Sequence, residues 1–382
     1  MPEGESHQVR FRPVPAPENP VASWALERVP NATWDQGLHQ AAQLIAASAT
    51  SQRARITPGA TANALARSGY PGHARFAHVL NGGALPESLA EDLQRGALQR
   101  NQPVDVAIAR RDFGDGLSLW IGAIAHRPAL LDPIRRDYPL GEMVPVTLEV
   151  TSPGSQADPL SQVPDPVLFV SRPDGPVVAY EIDTGQTRWV DLFHANGEYR
   201  FEVVSRTRST TQVVLAWSHF VGEGPGPMDA LPTGLTPQNP IEATEALYSA
   251  LSVLRRQAGL APLARFDAFE TLAREHAAYM ANTGTVDHVL PGISPGVAAR
   301  AADRFHPRAR HREDLAAAAT WQEALEITSL SPGHLRNLLC ETCTHASVGV
   351  ALEPVTDRVP RLFVVWEILE FPHGPPQAIP QY

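Results

Sequence analysis

Two histidines, a glutamate, an asparagine and a cysteine pair, all in the last third of the chain, have the types and spacing to do chemistry. In Ser331-Pro332-Gly333-His334 a serine precedes a proline. That order marks a helix start, where the hydroxyl caps the first amides and proline occupies the first turn. His334 then lies in the first helical turn, where the positive end of the helix disfavours an imidazolium. A neutral imidazole there can ligate a metal or anchor a hydrogen bond, although the same residues also describe an ordinary capped helix with an exposed histidine. Asn337 follows one turn later, placed either to orient that ring or to face solvent. His288 follows Asp287 in a loop-like stretch that also suits a surface histidine held by its neighbour. Glu313 ends the Arg-rich stretch 308–312, which equally suits a solvated ion pair of little energetic weight. His276 falls on the apolar face of a helical stretch and reads as a hydrogen-bonded core histidine. His306 and His311 could serve as extra ligands but read first as surface charge.

Cys340 and Cys343 stand in a Cys-x-x-Cys arrangement and are the only two cysteines. A local disulfide is the first reading if the protein is exported. A redox pair lacks the surrounding βαβ pattern. Zinc needs further ligands, and His345 alone does not complete a four-ligand set.

These residues follow one another in a recognisable order. Leu251–Leu263 is a helical segment with a glycine stop. Leu272–Met280 is a second stripe containing Glu275-His276, followed by Val286-Asp287-His288. Glu313-Asp314-Leu315-Ala316 comes next, then Ser-Pro-Gly-His, then Val348-Gly349-Val350-Ala351. The series resembles the CAP superfamily (cysteine-rich secretory proteins, antigen 5, pathogenesis-related 1) in its bacterial form, over roughly the last third of the chain. The resemblance implies a cleft lined by His288, Glu313 and His334, with Asn337 beside it. Two imidazoles and a carboxylate are a zinc set with one open position, so Zn2+ or another divalent cation is the implied cofactor. Three departures from the family pattern stand out. Asp314 replaces the usual asparagine, the tryptophan before Ser-Pro-Gly-His is missing, and the second glutamate of eukaryotic members has no counterpart.

Composition narrows the classes. The 382 residues imply two or three domains, and 43% hydrophobic content is ample for packed cores. The formal charge of −10, with no block of like charge, gives no footprint for nucleic acid or an anionic membrane. Every basic residue other than histidine is arginine, which excludes a lysine Schiff base and a phosphate loop with its lysine. No segment reaches the ~20 apolar residues of a transmembrane helix. The first residues show no basic and apolar leader; given the family resemblance, a removed leader is the expectation, with an extracellular or cell-envelope location.

The elements that must position these residues fall into six stretches. Residues 1–30 are Pro-rich and read as an extended arm, 31–135 as an α/β domain, and 138–222 as strands of an immunoglobulin-like sandwich. Residues 223–240 read as a linker, 241–372 as the CAP-like α/β/α sandwich and 373–382 as a tail. Within 31–135, helices followed by the strand pair Val104–Ala109 and Leu117–Ile124 echo the C-terminal order. They suggest a degenerate CAP-like copy without the histidine motif, against the alternative of an unrelated α/β domain. The expected function is non-enzymatic binding of a small molecule, a lipid or a cell-surface polymer. A zinc-dependent hydrolase using Asp314 or Asp287 as base is the alternative, and a vestigial cleft in a structural domain is the third reading.

Overall fold

In a computed structural model of the protein, the structure describes residues 8–9, 19–98, 103–127, 129–132, 134–135, 138–150, 166–183, 186–191, 193–206, 211–222, 224–234, 238–288, 310–354 and 360–371. The expected tail 373–382 and His306 lie outside them. Contacts divide the chain into two compact units, one holding nearly all of residues 1–234 and the other the rest of the chain. Among the described residues no helix is long and apolar enough to cross a membrane.

The first unit begins with β1 (Gln8–Val9), α1 (Pro20–Arg28), β2 (Ala32–Trp34), α2 (Gln36–Ser48), α3 (Pro58–Ser68), β3 (Ala74–Asn81), α4 (Glu87–Ala97), β4 (Val104–Asp112) and β5 (Ser118–His126). Part of the expected arm is therefore helical. Asn19 caps α1 by accepting from the Val21 amide at 2.9 Å, and Pro20 occupies the first turn, so proline here starts a helix. Asp35 caps α2 through the Leu38 amide at 2.8 Å. Gly69 closes α3 in the left-handed region, φ 72°. The sheet order is β2-β4-β5-β3, with β2 parallel to β4 and the other pairs antiparallel.

The same unit continues with β6 (Ala129–Leu131), β7 (Ile134–Arg135), β8 (Met143–Val150), β9 (Val167–Arg172), β10 (Gly175–Glu181), β11 (Thr187–Asp191), β12 (Gly197–Arg206) and β13 (Thr211–Val221). They form a three-stranded sheet, β11-β8-β6, and a four-stranded sheet, β10-β9-β12-β13, while β7 pairs with β1. Alternate residues Val144, Val146 and Leu148 on β8, and Tyr199, Phe201 and Val203 on β12, are buried. Near the start of β12 the Tyr199 hydroxyl donates to the Ala195 carbonyl at 2.9 Å and accepts from its amide at 3.0 Å. One hydrophobic cluster runs from Trp34, Leu38 and Ile108 through Val146 and Phe201 to Leu231, so the stretches 31–135 and 138–222 share a core.

The second unit contains α5 (Pro240–Gln257), β14 (Ala264–Arg265), α6 (Asp267–Thr283), β15 (Arg310–Ala318), α7 (Trp321–Leu330), α8 (Pro332–Leu338), β16 (His345–Leu352) and β17 (Leu362–Glu370). Its sheet order, β14-β16-β17-β15, has β14 parallel to β16 and the rest antiparallel. This is the arrangement of β2-β4-β5-β3. Strand β17 is buried along its whole length. Its even positions Leu362, Val364, Trp366 and Ile368 pack with Leu247 and Leu251 of α5, Ala324 of α7 and Leu338 of α8. Its odd positions Phe363 and Val365 pack with Ala273, Ala277 and Met280 of α6. Helices thus cover both faces, and each fully buried large side chain stabilises the sheet by about 1.5–3 kcal/mol. Gly349 permits the closest approach: a Cβ there would lie 2.1 Å from the Ala273 carbonyl carbon, so only glycine lets α6 sit on β16.

Candidate functional site

Strand pleating decides what Glu313 meets. In the β15–β17 ladder Glu313 pairs directly with Glu367, both on the face covered by α6. Two carboxylates across adjacent strands repel unless a proton, a cation or a hydrogen-bond donor intervenes. Three histidines surround them. His276, on the buried side of α6, places Nδ1 3.1 Å from Glu313 Oε2 and Nε2 2.9 Å from the Asp287 carbonyl. His288 places Nδ1 2.7 Å from Glu313 Oε1. His311, two residues before Glu313 and so on the same face, bonds Glu367. The group runs from solvent inwards: His288 is 41% exposed, Glu313 12% and Glu367 1%.

The electrostatics follow from these contacts. Burial works against ionised Glu313, but hydrogen bonds from His276 and His288 outweigh it and hold its pKa at about 2. Burial also works against His276 as a cation, yet the Glu313 bond and charge raise its pKa. Its two ring nitrogens face a carboxylate and a carbonyl, two acceptors that favour the protonated ring. Burial and then the neighbouring Glu313 push Glu367 up to about 7, against the His311 bond. His311 is in turn raised, with burial opposed by Glu367.

The expected site residues are distributed unevenly around this cluster. His288 and Glu313 come together directly. His334 opens α8, with its amide donating to Ser331 Oγ at 3.3 Å, and its ring is half-buried. Asn337 reaches Asp314, donating to Oδ1 at 2.7 Å. Asp314 points to the opposite face from its neighbour Glu313, and Leu338 of α8 packs on that opposite face with Ala316 and Trp366. Asn337 therefore ties α8 to β15. Among the described residues, His276–Glu313–Glu367 and Cys340–Cys343–Glu370 are the sets of donors within 4.8 Å of one another, and His288–Glu313–His334 is not such a set. Alternation of the strand is the reason: it sends Glu313 towards α6 while α8 meets residue 314.

Cys340 and Cys343 are joined as a disulfide, which removes their sulfurs as thiolate ligands. Arg312 Nη1 lies 2.8 and 3.3 Å from the two sulfurs. Buried Arg255 donates to the carbonyls of Ala261, Leu338 and Cys340 at 2.8, 2.8 and 3.0 Å and so clamps the turn after α8.

Sequence reading missed Glu367 and the role of His311. His311 is not surface charge: its side chain is 12% exposed and bonds a buried carboxylate. Two signals were available. Glu367 interrupts an otherwise apolar run from Leu362 to Leu369, and His311 precedes Glu313 by two, the spacing of one strand face.

Residues 248–366 match the CAP family, described as the cysteine-rich secretory protein family. No curated protein matches the chain. Among solved structures, an outer surface protein of Borrelia burgdorferi is similar at 25% identity and TM-score 0.30, over 35% of this chain and 98% of that one. An extracellular protein of Bacillus anthracis containing an SCP domain is similar at 16% identity and TM-score 0.29, over 46% and 65%. A cysteine-rich secretory protein of Staphylococcus aureus is similar at 11% identity and TM-score 0.27, over 64% and 81%. The family match places a CAP domain at the C-terminus of the chain.

Proposed function

We propose that this chain, which carries a CAP domain at its C-terminus, is an exported, non-enzymatic binding protein. It holds a small molecule, a lipid or a piece of cell-surface polymer in a groove at the free edge of β15. The observation that carries this reading is Glu313, a carboxylate kept ionised by two imidazoles, one of them, His288, 41% exposed. Such a fixed anion at the solvent margin accepts hydrogen bonds from ligand hydroxyl or ammonium groups. Strand β15 ends its sheet among the described residues, so the two faces meet along its edge. His334 and Asn337 belong to α8, which packs on the second face, where Asn337 bonds Asp314. Export is supported by the disulfide, which persists in oxidising compartments.

A zinc-dependent hydrolase is less well supported. His288, Glu313 and His334 are not a set of donors within 4.8 Å of one another among the described residues, and no hydrolytic step is assigned to them. Asp314, the nearest candidate base, is buried and bonded to Asn337.

The first unit is read as a degenerate CAP-like copy followed by an immunoglobulin-like sandwich. The shared sheet order supports the copy, and neither β3 nor β5 carries an acidic residue where β15 and β17 carry Glu313 and Glu367. A three-stranded and a four-stranded sheet whose buried residues belong to one hydrophobic cluster, with a tyrosine near the start of β12 bonding back to residue 195, support the sandwich. These parts act as a spacer or a second contact surface.

Binding to sterol, fatty-acid vesicles and insoluble wall polymer, compared between the wild type and Glu313→Gln, tests the proposal. One ligand class should bind, and the variant should bind it at least about tenfold more weakly. Equal binding by both proteins, or binding of none of the three classes, contradicts it.

A further inference from the structure

Glu367 lies outside every motif that pointed to the groove, yet its side chain is only 1% exposed and it faces Glu313 across the ladder. A buried carboxylate is retained at a cost unless it is paired, protonated or bound to a cation. Nitrogen of His276 and oxygens of Glu313 and Glu367 lie within 4.8 Å of one another, and His311 already contacts Glu367. Two imidazoles and two carboxylates form a mixed nitrogen and oxygen set of the kind that suits zinc, manganese or ferrous ion. The outer contacts are those of a supported metal site. The Asp287 carbonyl accepts from His276 Nε2, which leaves Nδ1 to face the carboxylates, and His288 holds the outer oxygen of Glu313. Phe363, Val365 and Leu315 supply an apolar floor on the same face.

We propose that His276, Glu313, Glu367 and His311 form a divalent transition-metal site on the α6 face of the C-terminal sheet, independent of His334. It shares Glu313 with the groove reading and rests on that residue's holding a ligand, but it moves the ion from the groove into the interior. His288 is the solvent-side member, through which an ion reaches the cluster.

Chelator-stripped, full-length protein titrated with Co2+, read by the visible absorption of the bound ion, tests the site. One equivalent should bind the wild type. Glu367→Gln, nearly isosteric, should weaken binding at least about tenfold, and His311→Gln should weaken it in the same direction. His334→Ala should leave affinity within about twofold. Absence of Co2+ binding to the wild type overturns the site. So does wild-type affinity in Glu367→Gln, or, if that variant does not fold, in His311→Gln. Loss of Co2+ binding in His334→Ala alone also overturns the site and returns the ion to the groove. Loss of polymer or lipid binding in Glu313→Gln with intact Co2+ response in Glu367→Gln fails this site while leaving the groove reading standing.

Discussion

Glu313 stays ionised because two imidazoles outweigh its burial, and that balance carries a pH signature. A carboxyl whose folded pKa is depressed contributes stability above its unfolded value and loses it as pH falls through the folded one. Wild type should therefore lose up to about 3 kcal/mol relative to Glu313→Gln between roughly pH 4.5 and pH 2, read from denaturant midpoints. Asp105 in the first unit behaves in the opposite way. Burial pushes it up to about 7; Arg127 and the Tyr70 hydroxyl, 2.9 Å away, pull it down, and Asp35 adds to the rise. The unfolded chain releases this proton near pH 4 while the folded chain keeps it, so its contribution falls as pH rises from about 4 to about 7. Asp105→Asn should remove that slope, worth about 4 kcal/mol at most, and a slope unchanged in the variant contradicts the assignment. At this scale the sequence made His288 and Glu313 legible through their motif positions. Glu367 and His311 stayed hidden because their roles depend on a strand register spanning some fifty residues, which local pattern does not encode.

Helix starts were the most readable elements. Thr320 and Ser331 cap α7 and α8 where hydroxyls precede helical runs, because capping is a local contest for free amides. The strand pairs β4–β5 and β16–β17 were equally visible, since each is a long apolar run. Strands β3 and β15 were missed: β15 begins Arg310-His-Arg-Glu-Asp, where charge masks the alternation, and its pairing partner lies far along the chain. Helix α1 was missed because proline density suggested an extended arm, although Asn19 caps a helix whose first turn holds Pro20. Two substitutions test the element packing. Gly349→Ala should destabilise the second unit by about 3 kcal/mol or more in denaturant unfolding, because the added methyl meets backbone that cannot yield. Tyr199→Phe should cost about 1–3 kcal/mol in the first unit by removing both bonds to residue 195. A neutral result at either position removes the corresponding contact from the account.

For the whole molecule, two compact units with separate hydrophobic clusters imply two cooperative transitions. Calorimetry should resolve them, and Leu251→Ala should lower only one, by about 2–5 kcal/mol; a single transition shifted as a whole contradicts the division. The division between the two units lies near residue 234. The shared core of 31–135 and 138–222 was not visible, because hydrophobic faces read from sequence do not say which other face they meet. The central claim is that Glu313 is the fixed anion gripped by His276 and His288. The most direct measurement is the NMR pH titration of His276 in the wild type and in Glu313→Gln. The account predicts a wild-type midpoint above the ordinary ~6.5 that falls when the carboxylate is removed, since burial is then opposed only by the Asp287 carbonyl and the Glu367 charge. Equal midpoints in the two proteins would contradict it.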